Sequence, residues 1–217
     1  MSRPRRGRRT SLRNPAKTGP ANTGYINMRA FIAIELPQNI KNTIGRLQTK
    51  LKASSAGLKW VDPSNIHLTL KFLGDIDEKS KDGICTLLKE ICGRTPLFTI
   101  KLQGLSAFPS IQSPRIIWIG LSQGHDQLKA IVDQIENSLR KYGICNETKP
   151  FSWHITIARV HSQKNVQYLT RDMAKMERES MQEFREFQAG NITLFKSTLL
   201  PQGPIYEIIQ QTNLKTT

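Results

Sequence analysis

From Met28 onward the apolar positions change period in a regular order. "AFIAIEL" (30–36) is a near-continuous apolar run of strand length. It passes through Pro37, a residue suited to the start of a helix, into a stripe at Ile40, Ile44, Leu47 and Leu51 that repeats at helical spacing. "HLTLKFLG" (67–74) then alternates, with Leu68, Leu70 and Phe72 on one face and His67, Thr69 and Lys71 on the other. Residues 78–92 predict a second helix with Ile84, Leu87, Leu88 and Ile91 on one side and Gly93 as its stop. "LFTIKLQGL" (97–105) returns to strand. The same order follows again. "RIIWIGL" (115–121) is a strand, and Leu128, Ile131, Val132, Ile135 and Leu139 make a helical stripe ended by Gly143. "HITIARV" (154–160) is the next strand. Asn165 is placed to cap a helix carrying Val166, Leu169, Met173 and Met176, and "NITLFKS" (191–197) and "IYEIIQ" (205–210) close the chain as strands.

The chain therefore reads as a repeated βαβαβ unit, and the repeat gives two histidines the same address. His67 lies 31 residues after Leu36, at the end of the first half's opening strand, and His154 lies 33 residues after Leu121, its counterpart. Each is followed two positions later by a threonine, Thr69 and Thr156, on the same strand face. One His-x-Thr is explained by a satisfied structural histidine. Two, at equivalent points of a duplication, point to chemistry. His125 and His161 have no such setting and read as surface residues near element ends.

Composition narrows the class. The chain has 217 residues, 38% of them hydrophobic, which is enough for one sizeable domain or two small lobes. No apolar run approaches the roughly 20 residues that span a bilayer, and no secretory signal is present. Cys85, Cys92 and Cys145 are an odd number without CxxC spacing. They read as reduced thiols of a cytoplasmic protein, with neither a disulfide framework nor a zinc site. The net charge of +15 favours a polyanionic partner, nucleic acid ahead of acidic membrane. Residues 1–27 hold Arg3, Arg5, Arg6, Arg8, Arg9, Arg13 and Lys17 and no acid, leaving +8 on the remainder. That head, with three prolines and almost no apolar residue, predicts a disordered basic extension, and the working body begins at Met28.

Two imidazoles facing a common groove can serve as base on one side of a substrate and acid on the other, because their ordinary pKa of about 6.5 allows either state near neutrality. In-line displacement at phosphorus suits that arrangement, because the attacking and leaving oxygens lie on opposite sides. Thr69 and Thr156 then donate to the non-bridging oxygens as negative charge grows on them. Two histidines also bind zinc, but a third ligand is normally required, and no carboxylate or cysteine recurs beside either motif. No metal and no cofactor are expected.

"HLTLKFLG" and "HITIAR" resemble the paired H-x-T-hydrophobic motifs of the two-histidine phosphoesterase superfamily. Within it, the chain resembles the bacterial and archaeal RNA 2′,3′-cyclic phosphodiesterases, once named 2′-5′ RNA ligases. The likeness covers essentially residues 28–210, including "MRAFIAIELP", "KWVDPSNIHLTLKFLG" and "LFKSTLLPQGPIYEII". It implies an α+β fold of two antiparallel sheets lining a central cleft, with helices outside, in a single bilobal domain (28–217). It makes His67 the proton donor to the leaving 3′ oxygen and His154 the acceptor that activates water, with Thr69 and Thr156 holding the phosphate. The substrate implied is RNA ending in a 2′,3′-cyclic phosphate, acted on by a monomer with no membrane partner. Small cyclic nucleotides or 2′,5′ linkages are alternative substrates, and a non-catalytic RNA-binding module is the alternative of another class. Trp153 stands where relatives often have Pro. Arg159 matches a basic position of the motif, yet strict alternation points it away from His154, so a bend or bulge must intervene for it to meet phosphate. Phe151 and Trp153 are candidates for stacking on a base, with core packing as the competing role.

Overall fold

The computed structural model describes residues 27–144, 152–180 and 186–216; the basic head to residue 26, Cys145 and Phe151 lie outside them. Nine strands and four helices are found among the described residues: β1 (Met28–Glu35), α1 (Gln38–Lys52), β2 (Leu58–Trp60), β3 (His67–Ile76), α2 (Glu78–Arg94), β4 (Phe98–Pro109), β5 (Pro114–Gln123), α3 (His125–Leu139), β6 (Ile155–Val160), α4 (Val166–Ser180), β7 (Glu186–Ala189), β8 (Asn191–Leu200) and β9 (Gly203–Asn213). Two of the strands, β2 and β7, are too short to show a period of their own and are not legible from the sequence. The helices form where the apolar stripes predict them. Pro37 precedes α1, and the Asp77 carboxylate caps α2 by accepting the Ser80 N–H at 2.8 Å. Asn165 begins α4 only through its carbonyl, which accepts from Leu169 N–H at 3.2 Å; its side-chain amide donates instead to the Ser55 carbonyl.

The strands make two antiparallel sheets, in the order β3-β1-β8-β9 and β2-β6-β5-β4-β7. This is the α+β architecture with paired sheets that the sequence implies, with one difference in connectivity. Strands of each half join the sheet of the other: β2 and β4 of the first half pair with β6 and with β5 and β7, and β8 of the second half pairs with β1 and β9. The cause is local. β4 and β5 are separated by only a short turn, and consecutive strands so joined pair as a hairpin. The two halves are therefore interlocked.

Each sheet has one face against the helices. Ile32, Ile34, Leu68 and Leu70 from the first sheet and Ile117, Ile119, Ile155 and Ile157 from the second are fully buried in one core with Ile44, Leu51, Leu88, Ile135 and Leu139 of the helices. Each such side chain contributes about 1.5–3 kcal/mol by leaving water. On the opposite face of the first sheet Phe31, Ala33 and Phe195, with Tyr206 beside them, form a separate cluster. That second face lines the groove. The motif strands β3 and β6 contact each other where the two sheets meet.

Candidate active site

His67 opens β3 directly after a 3-10 turn, Pro63–Asn65, which Asp62 caps by accepting the Ser64 N–H at 2.8 Å. Asn65 anchors the start of β3 in two ways. Its side-chain amide donates to the Pro204 carbonyl at 3.2 Å, and its own carbonyl accepts from His67 Nδ1 at 2.8 Å. The second motif repeats this contact: His154 Nδ1 donates to the Ser152 carbonyl at 2.6 Å. A carbonyl only accepts, so each Nδ1 carries the proton, and Nε2 is the nitrogen left for chemistry in both rings. Two residues on, Thr69 is half-buried opposite Ala33, and Thr156 is half-buried opposite Trp118.

The surroundings of the two rings differ. The His67 ring lies 4.8 Å from Phe31 and 6.2 Å from Phe195 between centroids, and meets the edge of Tyr206 at 5.3 Å. In pairing register His67 sits at the Glu35 end of β1, while Tyr206 lies toward its Met28 end, opposite Ser197 of β8. The two meet because the sheet curls along its diagonal over the Phe31 ring. Burial among these rings pushes the His67 pKa down from 6.5 to about 4, with the Lys41 charge adding to the fall and the Asn65 hydrogen bond opposing it. His154 has a single aromatic neighbour among the described residues, Trp118, edge-on at 6.0 Å. Gly120 makes room for that indole: a Cβ there would stand 3.1 Å from the Trp118 ring and 2.8 Å from the Gln103 carbonyl.

Both motif strands carry a β-bulge at the third residue after the histidine. In β3, Ala33 pairs with Thr69 and Ile32 with Lys71, which leaves Leu70 as the extra residue. In β6, Trp118 pairs with Thr156 and Ile117 with Ala158, which leaves Ile157. Each bulge reverses the alternation beyond it. The reading that put Lys71 on the wet face and Phe72 in the core is thereby corrected. Lys71 is 2% exposed and ion-paired with Glu136 at 2.7 Å, and Phe72 is 60% exposed. The same reversal turns Arg159 to the groove, the orientation that strict alternation denied it. It is exposed, and its charge partly opposes the rise that burial gives the Tyr206 phenol's pKa.

The bulges are braced from opposite halves. Ile157 C=O accepts the Val61 N–H at 2.9 Å and the buried Gln48 amide of α1 at 3.0 Å. Glu136 of α3 holds Lys71, just past the other bulge. Gln48 follows Leu47 and precedes Leu51 in the stripe of α1, as Glu136 follows Ile135 and precedes Leu139 in that of α3. They are equivalent positions of the repeat, each reaching into the other half.

Trp153 is half-buried and packs against the main core. His125 and His161 lie at element ends, bonded to the Leu121 and Gly57 carbonyls, away from the pair. Phe31, Trp118 and Tyr206 were not singled out by sequence reasoning. The one signal for Trp118 is Gly120 two residues on; Tyr206 arrives through the curl of the sheet, which leaves no periodic trace.

Two interlocked sheets, a repeated His-x-Thr on adjoining strands and a groove between them define a two-histidine phosphoesterase architecture. The comparisons agree. The chain belongs to the family LigT like Phosphoesterase, which matches residues 34–118 and 119–206, one motif in each stretch. A protein of Methanocaldococcus jannaschii named RNA 2′,3′-cyclic phosphodiesterase is 38% identical over 184 residues, covering 85% of this chain and 99% of its own. One of the same name from Aquifex aeolicus is 34% identical over 187 residues, covering 85% and 96%. The crystal structure of E. coli LigT complexed with 3′-AMP has the same fold, with a TM-score of 0.68 at 24% identity over 87% of this chain and 99% of that one.

Proposed function

We propose that this chain hydrolyses RNA 2′,3′-cyclic phosphate ends to 2′-phosphates, the activity named for its relatives, by acid–base catalysis between His67 and His154. The observation that carries the mechanism is the matched pair of Nδ1 contacts, 2.8 and 2.6 Å, which leaves two Nε2 atoms for proton transfer. His154 Nε2 accepts a proton from water as the water oxygen attacks phosphorus. The bond from phosphorus to O3′ breaks, and His67 Nε2–H gives its proton to O3′. Thr69 and Thr156 hydroxyls donate to the two non-bridging oxygens, and Arg159 supplies positive charge beside them. The free enzyme holds His67 neutral near pH 7, because its pKa is about 4. The anionic substrate favours the protonated ring, so binding arms the acid. Each half contributes one motif, so a single chain in the cytoplasm completes the site. No helix among the described residues is long and apolar enough to cross a membrane.

The test is turnover of an oligonucleotide ending in a 2′,3′-cyclic phosphate. His67→Ala and His154→Ala each lower kcat by about 10²–10⁴-fold, and the double variant loses less than the product of the two. Thr69→Val or Thr156→Val costs on the order of 10-fold or more. The product carries a 2′-phosphate, and dialysis against EDTA leaves the rate unchanged. A folded single variant with near-native turnover removes that histidine from the mechanism. A 3′-phosphate product reverses the orientation, and a rate restored by zinc makes the histidines ligands.

A further inference from the structure

On the groove face of the second sheet four side chains stand in one cross-strand row. Lys59 of β2 pairs with Arg159 of β6, Arg159 with Ile116 of β5, and Ile116 with Phe108 of β4. Directly opposed residues of antiparallel strands share a face, and neighbouring strands lie about 4.8 Å apart, so the row runs about 14 Å from end to end. The next row is Thr156, Trp118 and Ser106, which makes this one the immediate neighbour of the phosphate-binding threonine. At one end Lys59 and Arg159 are exposed, and neither has a carboxylate partner among the described residues. Lys59 Nζ reaches the Pro201 carbonyl of the first sheet at 3.4 Å, so its ammonium stands where the two sheets come together. At the other end Phe108 is 62% exposed, with half-buried Ile116 between it and the cations.

We propose that this row seats the RNA chain leading up to the cyclic phosphate: Lys59 takes a backbone phosphate and Phe108 stacks on a base. The inference rests on the reading of the groove as the cyclic phosphodiesterase site, and deepens it by naming the residues that hold the chain on the 5′ side. A 2′,3′-cyclic phosphate closes the 3′ end, so everything else in the substrate extends to the 5′ side and leaves the groove along one path. A track of cations beside an exposed aromatic ring matches single-stranded nucleic acid, since every base has a face to stack and every step a phosphate to neutralise. The row also adjoins the reacting centre, being one row from Thr156 on the same sheet face.

The experiment compares a tetranucleotide ending in a 2′,3′-cyclic phosphate with a 2′,3′-cyclic mononucleotide, using the full chain and its Phe108→Ala, Phe108→Tyr and Lys59→Gln variants. Phe108→Ala raises KM for the tetranucleotide roughly 10-fold, with kcat and mononucleotide kinetics unchanged, and Phe108→Tyr restores it. Lys59→Gln raises the same KM and lowers the slope of log affinity against log salt by about 0.7, the value for one single-strand phosphate contact. Equal losses on both substrates mean that the variants disturb the fold or the reacting centre, and overturn the proposal. No loss on either also overturns it. Failure of the unaltered chain to turn over either substrate is a different result, and refutes the assignment of function instead.

Discussion

The His67 imidazole lies among Phe31, Phe195 and Tyr206, and its charged form is disfavoured there because the rings exclude water. The consequence for stability has a definite sign. With a folded pKa of about 4 and an unfolded value of 6.5, the unfolded chain takes up a proton as pH falls through 6.5 while the native ring refuses it. Stability is therefore fully present above about pH 6.5, declines between 6.5 and 4, and levels off below, for a total loss of roughly 3 kcal/mol. Urea denaturation at pH 7 and pH 4.5 measures it: His67→Gln loses less stability between the two than the unaltered chain. NMR titration of the ring reports the same pKa directly. Saturating 2′-nucleotide moves it upward, because a phosphate beside the ring favours the cation. A ring that titrates near 6.5 without ligand removes the desolvated acid from the mechanism.

Among the elements, the bulges decide what the motif strands present. Without the extra residue at Ile157, Arg159 would face the helices, and without the one at Leu70, Lys71 would face water. Gln48→Leu withdraws a donor from both the Val61 and Ile157 carbonyls, and is expected to cost about 1–3 kcal/mol. Glu136→Gln neutralises the carboxylate that the buried Lys71 ammonium meets at 2.7 Å and costs about 3–5 kcal/mol. Replacing the pair together, Lys71→Met with Glu136→Leu, recovers most of that loss, because two apolar groups need no partner. Urea denaturation of the three variants reads out all three values. Sequence periodicity revealed the helices and long strands, since Ile40, Ile44, Leu47 and Leu51 can share a face only in a helix. It also singled out the two histidines and two threonines of the proposed mechanism, because a duplication repeated their address. The bulges were hidden, since Leu70 and Ile157 are ordinary apolar residues in an alternating strand, and the pattern changes only beyond them. Gln48 and Glu136 looked like polar residues on the edge of an apolar stripe. What they hold belongs to the other half of the chain, and no local pattern reports it.

Over the whole molecule, exchange of β4 and β8 between the sheets makes the groove a joint product of both halves, and charge sets how it meets a polyanion. Of the net +15, seven charges lie in residues 1–27, before β1 begins at Met28. Every groove residue described above lies after Met28. We propose that the head is a dispensable basic extension that holds RNA phosphates without regard to sequence. A chain beginning at Met28 then turns over a dinucleotide cyclic phosphate at an unchanged rate. On a long RNA, removing the head lowers the slope of log affinity against log salt by about 0.7 for every phosphate it had neutralised, because that counterion is no longer released. Full-length and Met28-start proteins compared on both substrates across a salt series give both readings. Lower turnover of the short substrate would make the first 27 residues part of the catalytic body. Equal slopes on the long RNA would mean that its phosphates are met by the +8 of the body alone, with the track at Lys59 and Arg159 carrying the charge that matters.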